Sequence, residues 1–147
     1  MVYIVKLPEL LYPQYDAAFP KAANDDYVVT FDPTKLETIK QTLEQFDGNP
    51  AYLNLVMGPC GFYFVAPSAN GTMYNPEPEL VCKTDNILRI LDRQHIVHAL
   101  SHGINKFRFK DDPKKPVLCL SGDSRMVCMP RQVSNNAELL GKTLERI

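Results

Sequence analysis

From residue 27 onward, the apolar and polar positions of the chain fall into one pattern written twice. Residues 27–31 are β-branched and aromatic, which predicts a strand. Asp32 and Pro33 follow, an acid suited to a helix N-cap and a proline suited to the first turn. Leu36, Ile39, Leu43 and Phe46 then recur at helical spacing as one narrow stripe, and Asp47 and Gly48 predict its end. Residues 52–57 alternate, with Leu53, Leu55 and Met57 on one face, and a turn at 58–61 leads into a return strand over 62–66. The second copy opens with a strand over 86–91 that runs into Asp92. Residues 93–102 predict a helix with Ile96, Val97, Leu100 and Ile104 on its apolar side and Gly103 as its stop. Residues 106–110 alternate again, Phe107 and Phe109 inward, Lys106, Arg108 and Lys110 outward. Strands over 117–120 and 126–129 flank a turn at 121–124.

The unit is therefore strand, helix, strand, strand, occurring twice. Two helices joined to runs of hairpin-connected strands predict an α+β fold, the helices packed on a mainly antiparallel sheet. One domain is expected over 1–147, with a first repeat at 27–85, a second at 86–132 and a helical tail at 133–147. Residues 68–79 read as a loop followed by a further strand over 80–83, while 8–26 have no assignment as arm, strand or interface. In the tail, Leu139, Leu140, Leu144 and Ile147 form one apolar side of a short helix. It is expected to cover a pocket, bind a neighbouring chain or cap the sheet.

Composition narrows the class. A length of 147 residues gives one ordinary core, and 45% hydrophobic with 22% charged residues excludes disordered and fibrous classes. A net charge of −1 gives no global attraction for nucleic acid or anionic lipid, so any such binding must be local. No apolar run is long enough to span a bilayer, and residues 1–6 do not resemble a signal peptide, so a cytoplasmic protein with no membrane partner is expected. Cys60, Cys82, Cys119 and Cys128 show no metal-binding spacing and are expected to be reduced thiols.

Two segments resemble the bacterial-type DNA sliding clamps, the processivity factors of DNA polymerase. Residues 29–36, ending in Asp32, Pro33 and Leu36, are similar to the start of a clamp helix. Residues 106–131 are similar to the end of a clamp chain: a basic-aromatic strand, an acidic turn, a proline-led strand and a closing stretch that includes Met129 and Pro130. The resemblance implies a single processivity-fold domain, whereas clamp chains usually carry two or three and close a ring of six. A ring here would need about six chains, a cyclic closure from one repeated contact. It further implies no enzymatic activity, no cofactor, and as partners duplex DNA, a polymerase or other clamp-binding proteins. The positions matching the clamp peptide pocket are Val127, Met129 and Pro130. This chain continues past that ending, which the family generally does not.

In clamps the helices present basic residues to DNA. Here the face of the first helix opposite its apolar stripe holds Thr34, Glu37, Thr38, Gln41, Glu44 and Gln45, with Lys35 and Lys40 only flanking. The second helix presents His95, His98 and His102, rings that are mostly neutral at pH 7. These five residues are the DNA-facing candidates. The spacing of His98 and His102 also suits chelation of one metal ion, but no third ligand follows from the same helix, so no metal is assigned. Lys106, Arg108, Lys110, Lys114 and Lys115 form the densest basic patch, read either as an anion-binding surface or as a solvated strand. No nucleophile elbow, phosphate loop or zinc-protease motif occurs, and a Cys119–His98 pair is only arithmetic. The expected function is a non-enzymatic clamp-like factor of DNA replication or repair. The alternatives are a small adaptor or inhibitor, of viral or mobile-element type, that uses the fold without gripping DNA, and a metalloenzyme built on the histidine face.

Overall fold

A computed structural model describes residues 2–6, 26–68 and 71–147. Residues 8–25 of the unassigned N-terminal stretch lie outside the described residues. The elements in order are β1 (Val2–Lys6), β2 (Tyr27–Thr30), a 3-10 turn (Pro33–Lys35) running into α1 (Leu36–Glu44), β3 (Tyr52–Gly58), β4 (Gly61–Val65), β5 (Met73–Tyr74), β6 (Glu79–Val81), β7 (Ile87–Asp92), α2 (Arg93–Ser101), β8 (Lys106–Phe109), β9 (Val117–Leu120), β10 (Ser124–Cys128) and α3 (Asn136–Glu145). The α+β class holds, and every strand pairing among the described residues is antiparallel.

Instead of one sheet there are two. A six-stranded sheet runs β1-β10-β9-β8-β2-β6, and a four-stranded sheet runs β5-β4-β3-β7. The repeats exchange strands: β2 of the first pairs with β8 of the second, and β7 of the second pairs with β3 of the first. Each repeat's leading strand thus joins the other repeat's sheet.

Both helices start from the same device. Asp32 accepts hydrogen bonds from the Thr34 amide and hydroxyl, and Asp92 accepts from the amides of Gln94 and His95, satisfying donors that a helix start leaves open. Leu36, Ile39, Leu43 and Phe46 are buried as their spacing predicts. In α2, Ile96, Ala99 and Leu100 are buried, whereas Val97 only packs against the margin of the core. The two helices also pack on each other.

One core joins the inner faces of both sheets to both helices. Phe31 lies at its centre, between Phe62 (5.8 Å), Phe64 (6.0 Å) and Phe107 (5.7 Å). These edge-on and offset ring contacts come from three strand regions and add to plain area burial. Polar ties pin the sheets together: the Tyr27 hydroxyl donates to the Asp85 carbonyl at 2.8 Å, and the buried Arg89 of β7 donates to the carbonyls of Lys110 (3.0 Å) and Asp111 (2.7 Å). Arg93 does the same for the helices. It donates to the Leu43 and Glu44 carbonyls that end α1, both at 3.2 Å, and to the Asn49 side chain.

The turn between β3 and β4 is fixed by Gly58, whose φ is +146° and whose Cβ, if present, would sit 2.5 Å from Asn86 Oδ1. That amide oxygen instead accepts from the Cys60 N–H at 3.0 Å. The tail resolves into α3, which lies over the outer face of the four-stranded sheet.

Candidate functional site

The helix face opposite the core carries Lys35, Glu37, Thr38, Gln41 and Glu44, all exposed. Lys40 is half-buried and turned onto Glu37, with Nζ 3.2 Å from its carboxylate. That pair and the unmatched Glu44 offset the two lysines, so α1 presents no net positive stripe to a phosphate backbone. On α2, His98 and His102 are exposed with ring centroids 4.5 Å apart and edge-on, while His95 is half-buried. Among the described residues no group of three or more His, Cys, Asp or Glu is placed to hold a metal ion. Cys119 is buried in the core and His98 faces solvent, so they form no catalytic pair.

The basic strand is read differently once its neighbours are in place. Phe107 and Phe109 point inward and Arg108 and Lys110 outward, as the alternation predicts. The outward pair converges on Asp26, whose side chain is 1% exposed: Lys110 Nζ lies 2.9 Å and Arg108 Nη1 3.5 Å from its carboxylate. Lys114 and Lys115 are exposed in the turn before β9, beside Asp111 and Asp112. Asp112 accepts from the Lys114 amide, and Asp111 pairs with Lys83 at 3.2 Å. Of the five predicted cations, Arg108 and Lys110 thus share one buried carboxylate.

Two open clefts lie on the outer face of the six-stranded sheet, and both include Thr30 and Lys106. One, of about 360 Å³, adds Asp26, Val28, Glu79, Val81 and Arg108. The other, of about 430 Å³, adds Asn105, Leu120, Ser121, Gly122 and Arg125. Thr30, Asn105 and Arg125 were not singled out by sequence. They come together only because β2, β8, β9 and β10 are neighbours in the sheet.

At the closing strand, Val127 and Pro130 are buried and Met129 is 43% exposed. Of the three predicted pocket positions, Met129 is the exposed one. All four cysteines are free. Burial pushes the thiol of Cys119 well above its ordinary value, reinforced by Cys128 beside it, and raises that of Cys60 to a lesser degree. Neither is an activated nucleophile.

No family model and no curated relative matches the sequence. Solved structures do match the fold. The DNA polymerase III subunit beta of Pseudomonas aeruginosa superposes with a TM-score of 0.61 at 16% identity, over 83% of this chain and 35% of that one. A Caulobacter crescentus beta sliding clamp gives 0.59 at 15% identity, over 83% and 34%. A Helicobacter pylori beta clamp, solved bound to a DNA ligase peptide, gives 0.59 at 14% identity, over 83% and 33%. The chain spans about a third of the length of the clamp chains it matches. Two helices backed by two antiparallel sheets with exchanged strands are thus the fold of bacterial beta sliding clamps, here on the scale of about a third of a clamp chain.

Proposed function

We propose that this protein is a non-enzymatic, clamp-like factor of DNA replication or repair that acts in the cytoplasm by docking partner proteins. The observation that carries this reading is the clamp fold over 83% of the chain. The Helicobacter pylori clamp was solved with a DNA ligase peptide bound. The corresponding surface here centres on Met129 at the end of β10. Among the described residues no helix is long and apolar enough to cross a membrane.

A second reading is a ring of about six copies around duplex DNA, as the resemblance to clamps implies. The helix face weighs against it, because a ring that grips DNA needs cations where this chain has Glu37 and Glu44 beside Lys35 and Lys40. The adaptor reading, partner docking without DNA, gains from the same observation.

Titration of a fluorescent clamp-binding peptide, such as one derived from a DNA ligase, tests the docking reading. Saturable binding that falls at least about tenfold in Met129→Asp, roughly the cost of losing one buried apolar side chain, is expected. Equal binding by both proteins, or none by either, would remove Met129 as the docking surface.

A further inference from the structure

Directly paired residues form one row across the outer face of the six-stranded sheet: Glu79 on β6, Thr30 on β2, Lys106 on β8, Leu120 on β9 and Arg125 on β10. Residues paired in this way share a face, so these side chains point to the same side of the sheet. Lys106 and Arg125 bracket Leu120, one strand to each side, which sets their Cα atoms about 10 Å apart. The cleft of about 430 Å³ at this end of the row has no Asp or Glu in its lining. The acids of the face lie in the neighbouring cleft, where Asp26 is held by Arg108 and Lys110 and Glu79 stands two strands from Lys106. Lys106 itself is half-buried, and its ammonium has no ion-pair or hydrogen-bond partner among the described residues. A cation held in the wall of a cleft without a counter-charge favours an anion there.

The surrounding backbone selects the kind of anion. The Asn105 amide donates to the Leu120 carbonyl at 3.1 Å, and the Ser121 amide to the Ser124 carbonyl at 3.0 Å. The Asn105 side chain donates to the Phe31 carbonyl at 3.1 Å, and the Ser121 hydroxyl to Asp123 at 3.2 Å. These donors are spent, so they do not supply the cradle of N–H groups that holds a phosphate. Neither cleft has an aromatic ring in its lining on which a nucleic-acid base could stack. What the cleft offers is two side-chain cations with a half-buried leucine between them, which suits carboxylates set on either side of an apolar side chain.

We infer that this cleft is a docking site for an extended acidic segment of a partner protein, its carboxylates on Lys106 and Arg125 and an apolar side chain on Leu120. The occupant follows from charge complementarity and span. An extended chain advances about 3.3 Å per residue, so two acids three residues apart match the separation of the two cations. The cleft shares no residue with the docking proposed at Met129, and Met129→Asp should leave binding here unchanged, so the two readings fail separately.

The test titrates the full chain with a fluorescent peptide carrying two aspartates three residues apart and a leucine between them. Saturable binding is expected, weakening as salt rises and falling at least about tenfold in Lys106→Glu, as for a lost hydrogen bond between charged groups. Lys114→Glu makes the same change of net charge outside the cleft and is expected to bind within about twofold of the unsubstituted chain. The peptide with asparagine in place of aspartate is expected not to bind. An oligothymidylate is expected to bind more weakly than the acidic peptide. No binding by the unsubstituted chain, equal loss in the two lysine variants, undiminished binding of the asparagine peptide, or tighter binding of the oligothymidylate would each overturn the inference. If Lys106→Glu fails to fold, Lys106→Met, which keeps the stem and removes the charge, takes its place in the same comparison.

Discussion

Asp32 and Asp92 hold equivalent posts in the two repeats, each accepting hydrogen bonds from the first turn of its helix. The Thr34 amide and hydroxyl hold the Asp32 carboxyl below its ordinary value. Because the folded value lies below the unfolded one, the stabilisation is fully present above the unfolded value and is lost as pH falls through the folded one. Asp32→Ala should therefore melt at a lower temperature than the unsubstituted chain at pH 7, with the gap narrowing below about pH 4. Thermal melts at both pH values check this; an unchanged gap would mean the charge is not what the cap uses. The thiols make a second test. Cys82 is exposed while Cys119 and Cys128 are buried, so alkylation followed by mass spectrometry should modify Cys82 first and leave those two intact until the chain unfolds. The aspartate caps were legible in the sequence because a cap acts within three residues. The fate of Arg108 and Lys110 was not, since their partner Asp26 lies more than eighty residues away in sequence.

At the scale of elements, the helices were readable and the sheets were not. Apolar spacing identifies the buried side of α1 because a helix satisfies its own backbone. Strand alternation identifies a face but never a neighbour, so the exchange of β2 and β7 between repeats lay beyond it. The alternation in β3 also pointed to one buried face, yet Leu53 through Gly58 are all buried, because α3 closes the other side. The two-residue β5 and the distant β1 carry too little local pattern to be found. Arg93 shows how elements are tied once they form. The residue is 5% exposed, and its guanidinium sits at the C-terminus of α1, where the helix dipole favours a cation and two carbonyls need donors. Arg93→Met keeps most of the volume but leaves those carbonyls unpaired. It should lower unfolding free energy by about 2–3 kcal/mol in urea titration, the range for buried hydrogen bonds to a charged group. A loss below about 0.5 kcal/mol would show that water replaces the guanidinium there.

At the scale of the molecule, the resemblance seen in residues 29–36 and 106–131 proved a guide to the fold, while the surfaces it implied differ in detail. The helix face is balanced rather than basic, the basic strand is paired to Asp26, and the closing Met129 stands beside two buried neighbours. Residue types in a motif were visible from sequence; their partners depend on how the two sheets fold over one core. On the reading proposed above, this clamp fold serves docking and does not close a ring on DNA. Absolute mass by light scattering, over a concentration series with and without duplex DNA, tests it most directly. One chain of 16.7 kDa at low concentration, and no more than a pair at high concentration, is predicted, unchanged by the duplex. A closed assembly of about six chains, held on DNA or formed in its absence, would contradict the claim and restore the ring.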